Sequence, residues 1–108
     1  VFLLVGQGCK DKHKLLVASH NTVGELLITV KDQTTQLHEQ HVINDVTYNQ
    51  IRVNWLRAQK SYTEASLLLE ILLFSELSNE VDMSNYYTLL TQVTIIASDI
   101  AGWLEEKK

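Results

Sequence analysis

Apolar residues return every seven positions in three separate stretches, and this periodicity constrains the chain more than any other feature. In the first stretch Leu16, Val23, Val30 and Leu37 recur at that spacing, with Leu26 and Leu27 widening the stripe. In the second, Tyr48, Trp55, Tyr62 and Leu69 hold one position, and Ile51, Ala58, Ala65 and Leu72 hold the position three later. The third has Tyr86, Val93 and Ile100, with Leu89, Ile96 and Trp103 offset by three and Leu90, Ala97 and Leu104 by four. Such spacings line up side chains on one face of an α-helix, and no strand reading reproduces them. Proline is absent and only four glycines occur in 108 residues, too few for the frequent turns of a sheet protein. The sequence therefore predicts an all-α chain: three long antiparallel amphipathic helices forming a bundle of coiled-coil character.

The expected helices cover about residues 10–42, 45–77 and 85–106. Ser84 is the expected N-cap of the third, and Ser78-Asn79-Glu80-Val81-Asp82-Met83 the loop before it. Between the first two helices neither Gly nor Pro marks a boundary. Asn44-Asp45, set among β-branched Val42, Ile43, Val46 and Thr47, favours a hairpin. The alternative is one continuous helix that absorbs the register slip from Asn44 to Tyr48 as a stutter, which would require partner chains to bury its stripe. Gly24, inside the first helix, either admits a neighbouring backbone or marks a bend.

Charge and composition narrow the function. A net charge of −4 argues against nucleic acid as a partner, because phosphate binding needs a basic field. The hydrophobic fraction of 45% and charged fraction of 20% are those of a folded chain. The acids from Glu64 to Glu106 have no basic counterpart, whereas Arg52, Arg57 and Lys60 lack acidic neighbours; both read as solvated helix faces attracting one another. Arg52, Arg57 and Lys60 with Asn49, Asn54 and Gln59 are too sparse to read as an RNA surface.

Catalytic motifs are missing. No serine sits in a Gly-x-Ser-x-Gly turn, and Gly6-Gln7-Gly8 is too short for a phosphate loop. His38 and His41, three apart, are the candidate metal pair, with Glu80 and Asp82 as distant candidates for completing it. Zinc proteases need histidines four apart with a glutamate after the first, which this chain lacks. All four histidines, His13 and His20 included, are expected at the surface or its boundary. Tyr48, Trp55 and Tyr62 are the candidate interface aromatics, although heptad spacing places such a stripe more often in a core. The chain is expected to be non-enzymatic and to need no cofactor.

The segment Val1-Phe2-Leu3-Leu4-Val5-Gly6-Gln7-Gly8-Cys9 is apolar, then small, then cysteine, with the basic run Lys10-Asp11-Lys12-His13-Lys14 behind it. It resembles the end of a bacterial lipoprotein signal peptide, in which a small residue such as Gly8 precedes the cysteine that is lipidated. The resemblance implies a small bacterial or phage lipoprotein: residues 1–9 a clipped signal, residues 10–108 a single helical domain, and Cys9 the lipid attachment point. Lysines beside an acyl chain suit anionic lipid. Other readings make residues 1–8 the apolar start of the first helix or a terminal strand, and Cys9 a free thiol. The expected function is that of a helical interaction or scaffold protein at the cell envelope, of the lysis-accessory, exclusion or secretion-associated kind. It would bind a protein partner or itself through helix faces and touch a membrane surface through its N-terminus. The alternatives are a ligand- or metal-sensing bundle and a soluble self-associating coiled-coil adaptor.

Overall fold

In the computed structural model, the backbone is described over residues 2–74 and 80–107, and side chains over 14–74 and 81–107. Helix α1 runs Phe2–Glu39, α2 Asp45–Phe74 and α3 Glu80–Lys107. Side chains that share clusters give their directions. Leu16 packs with Leu72 and Tyr86, Leu27 with Ala58 and Val93, and Leu37 with Ile51 and Leu104. Helix α2 is thus antiparallel to both others, and α1 and α3 are parallel. Thirty-eight residues at about 1.5 Å each make α1 about 57 Å long. The molecule measures 58 × 23 × 16 Å, a slender rod with a thin core.

The three stripes form that core. On α2, Ile51, Ala58, Ala65, Leu69 and Leu72 are buried, and on α3, Tyr86, Leu90, Val93, Ala97, Ile100 and Leu104. Small Ala58, Ala65 and Ala97, none of them exposed, let α2 and α3 pack most closely of the three pairs. On α1 the buried seam is Leu16, His20, Leu27, Val30, Thr34 and Leu37, so two polar residues that the apolar repeat does not name join it, while Val23 and Leu26 are half-buried. Thr34 satisfies its hydroxyl on its own helix, donating to the Val30 carbonyl at 2.7 Å.

The junction between α1 and α2 is a hairpin, not a stutter. The Val42 amide donates to the Leu37 carbonyl at 2.9 Å and the His41 amide to that of His38 at 3.1 Å, the pair of bonds of a Schellman motif. His41 carries the required left-handed backbone, φ 61°, in the place usually taken by glycine. Three residues later Asn44 caps α2: its Oδ1 accepts the Thr47 amide at 2.8 Å. Buried Ile43 packs with Leu37 and Ile51 across the turn, so of the β-branched residues near Asn44-Asp45 it is Ile43 that serves the core of the hairpin, while Val42 and Val46 are exposed. Urea unfolding of single variants measures these two devices. Asn44→Ala is expected to cost about 1 kcal/mol by removing the cap. His41→Gly is expected to add about 0.5–1 kcal/mol by relieving the left-handed backbone.

Helix ends depart from the sequence expectations. Helix α1 begins at Phe2 and stops at Glu39, where the Schellman turn takes over from the expected end near 42. Helix α2 ends at Phe74, and the expected continuation to 77 lies outside the described residues. Helix α3 starts at Glu80, so Ser84 is an interior residue whose carbonyl accepts the Thr88 hydroxyl at 2.9 Å, not a cap. An acid such as Asp82 in the opening turn suits the positive end of the helix dipole, and the local serine signal is overridden.

Candidate functional site

The most elaborate chemistry lies inside the bundle. His20 is four residues past Leu16, which keeps it on the buried stripe, and it is only 6% exposed. Its Nε2 lies 2.8 Å from Ser66 Oγ and its Nδ1 3.1 Å from the Tyr86 hydroxyl, so one imidazole ties α1 to both other helices. The Ser66 hydroxyl donates to the Tyr62 carbonyl at 2.9 Å, which leaves its oxygen to accept from Nε2–H. Nδ1 then accepts from the Tyr86 hydroxyl, and the neutral ring is fully used. Tyr62 stacks on the same ring at 4.3 Å between centroids and donates its hydroxyl to the His20 carbonyl at 2.9 Å. Gly24 makes room for that hydroxyl, since a Cβ there would stand 2.5 Å from it. The glycine therefore admits a side chain and not a neighbouring backbone. No buried side-chain polar atom among the described residues lacks a partner.

A serine, a histidine and a tyrosine in line invite a nucleophilic reading, and the surroundings argue against it. His20 is buried, Ser66 directs its proton into its own helix, and mid-helix amides are committed to the helix ladder. Burial sets the titration behaviour: it lowers the His20 pKa below the ordinary 6.5 and raises that of Tyr62. Burial first, then the Tyr62 and Tyr87 hydroxyls, pushes Tyr86 up to about 12.

His20 makes stability depend on pH with a defined sign. The unfolded chain takes up a proton near pH 6.5 and the folded chain only at lower pH, so the unfolded state holds more protons in between. The contribution is full above the unfolded pKa and is lost as pH falls through the folded one. Urea midpoints taken between about pH 8 and 5 are expected to stay level and then decline below about 6.5. His20→Gln should flatten that decline, and an unchanged profile in the variant would assign it elsewhere.

The sequence-selected residues fall in three places. Tyr48, Trp55 and Tyr62 are half-buried along the seam between α1 and α2. The Trp55 indole N–H donates to the Leu27 carbonyl at 2.8 Å, and Lys31 Nζ lies 5.3 Å from its ring centroid. Above this seam a cavity of about 290 Å³ is lined by Lys31, Thr34, Tyr48, Ile51, Arg52 and Trp55, among others. His38 and His41 do not meet at a metal centre. His38 Nε2 is 2.7 Å from Asp45 Oδ1 and its ring stacks on Tyr48 at 4.0 Å, while His41 forms the exposed turn. Among the described residues no group of three or more His, Cys, Asp or Glu could hold a metal ion. The Cys9 side chain lies outside the described residues.

Sequence reasoning missed a second seam on α2. Val46, Val53, Leu67 and Phe74 are exposed, and they share a seven-residue spacing interrupted only by Lys60. Val53, Leu67 and Phe74 stand two residues beyond the buried Ile51, Ala65 and Leu72, about 200° around the helix, so α2 is apolar on opposite faces. Exposed Leu56 and Ile71 flank the outer stripe. The same periodicity that revealed the inner seam could have revealed this one. Among the described residues no helix is long and apolar enough to cross a membrane. Comparison with protein-family models, with curated proteins and with solved structures finds no match to this chain.

Proposed function

We propose that the chain is a non-enzymatic helical interaction protein that receives an amphipathic partner helix along the outer face of α2. The observation that carries this reading is the exposed stripe of Val46, Val53, Leu67, Ile71 and Phe74. Isolated exposed apolar residues are ordinary on any protein, but a stripe at heptad spacing over about 40 Å has the form of a coiled-coil seam without its partner. Phe74, 84% exposed, is the natural anchor at one end. Lys60, exposed at the centre of the stripe, calls for a carboxylate on the partner and would set its register. The lipobox-like residues ending at Cys9, with the lysines behind them, support tethering of this bundle to an envelope membrane, where the partner would be found.

A photo-reactive amino acid placed at position 67, with one at Ser98 on α3 as control, tests the interaction in the cell of origin. Cross-links to one defined protein from 67 and none from 98 are expected. Adducts of twice the chain mass would identify self-association, the adaptor form of the same reading. Equal labelling from both positions, or none from 67, would overturn it. Intact mass of the protein from the membrane fraction tests the anchor separately, the expected product beginning at Cys9 and carrying acyl chains.

A further inference from the structure

We infer that the groove between α1 and α2 is a binding site for a small planar aromatic acid, a carboxylate or sulfonate. This site lies apart from the outer stripe and goes beyond the interaction reading. Its lining combines two cations, Lys31 on α1 and Arg52 on α2, with the rings of Tyr48 and Trp55 and the buried Ile51. No carboxylate lines it, and neither Lys31 nor Arg52 has an ion-pair partner among the described residues. Glu25 and Asp32 appear only in the adjoining stretch of the groove toward Tyr62, which gives the positive section an acidic boundary. The cavity of about 290 Å³ is at the small end for ligand sites, the size for one compact molecule and not for a peptide.

The floor is fixed before any ligand arrives. The indole N–H of Trp55 is held by the Leu27 carbonyl, and the cation of Lys31 rests over its ring. Thr34 and Thr35 spend their hydroxyl protons on their own helix, which leaves the cations to hold the charged head. The flat body of the ligand then rests against Tyr48, Ile51 and Trp55. An apolar floor with a few convergent polar groups is how such sites fix orientation. A neutral molecule of the same shape would forgo the contacts to both cations, so charge is the discriminating feature.

The test uses 2-naphthoate and its neutral isostere 2-naphthamide, with Trp103→Phe in the protein so that Trp55 supplies the one indole N–H signal in the NMR spectrum. Naphthoate is expected to shift that signal saturably as a single site, and naphthamide to bind about tenfold more weakly or worse. Lys31→Gln with Arg52→Gln should weaken naphthoate by a similar factor while the helical circular dichroism stays unchanged and the melt falls only slightly, by the loss of the exposed Lys31–Trp55 contact. Equal affinity for the acid and the amide, an undiminished affinity in the double variant, or no saturable shift at low-millimolar ligand would each overturn the site.

Discussion

Tyr86→Ala is expected to cost about 3–5 kcal/mol, a large share of the roughly 5–15 kcal/mol that holds an ordinary domain folded. Tyr86 is wholly buried at the head of α3, against Leu16 and Ala65 in the same cluster, in a layer where all three helices meet. The thin core of a bundle only 16 Å across has little to fill the space it would leave. Tyr86→Phe separates the two parts of the effect. It keeps the ring but removes the hydroxyl that His20 Nδ1 accepts, leaving a buried acceptor unpaired at about 1–3 kcal/mol. Urea unfolding followed by circular dichroism measures both. A phenylalanine variant as stable as the parent would mean that the polar layer is not holding the three helices in register.

Trp55→Ala is expected to cost about 3 kcal/mol, somewhat less than a fully buried tryptophan because its ring is half-buried. The indole packs against the two clusters that contain Ile51 and Ala58, so its loss loosens α1 from α2 over both. The Leu27 carbonyl keeps its place in the helix ladder, so the cost comes chiefly from lost packing and less from the lost hydrogen bond. Trp55→Phe retains most of that packing and is expected to cost about 1 kcal/mol. Thermal melts of the pair, read by circular dichroism, check the difference. Equal losses would shift the weight to the indole hydrogen bond.

Much of this architecture is legible in the residue spacing. The heptads of α2 and α3 name the buried seams directly, from Ile51 to Leu72 and from Tyr86 to Leu104. Asn44-Asp45 names the turn. His20 was legible in position but not in burial. It shares the face of Leu16 and Leu27, yet a histidine there is buried only if two hydroxyls from other helices meet its nitrogens, and no local pattern reports Ser66 or Tyr86. The same holds for Gly24, whose reason is the hydroxyl of Tyr62, distant in sequence. Ser84 satisfies a local rule for a cap, yet α3 begins at Glu80, because local rules yield to the packing of a whole helix. His38 and His41 share the spacing of a ligand pair, but His38 is engaged by Asp45 and Tyr48 and His41 takes the left-handed position of the Schellman turn, roles that their spacing does not report.

The outer stripe of α2 is masked by the inner one, because Val53, Leu67 and Phe74 taken singly look like ordinary exposed apolar residues. Their common spacing with Val46 is what separates them from chance exposure. It gives α2 two tasks, an inner seam that builds the bundle and an outer one for a partner.

Size-exclusion chromatography of the protein taken natively from its source cells tests that division most directly, with the parent compared to a Val53→Glu, Leu67→Glu, Phe74→Glu variant. All three side chains are exposed, so the purified variant should melt as the parent does. The account predicts that the parent elutes as a complex clearly ahead of the variant, which elutes as the isolated protein. A parent that already elutes alone, or a variant that keeps the complex, would contradict it.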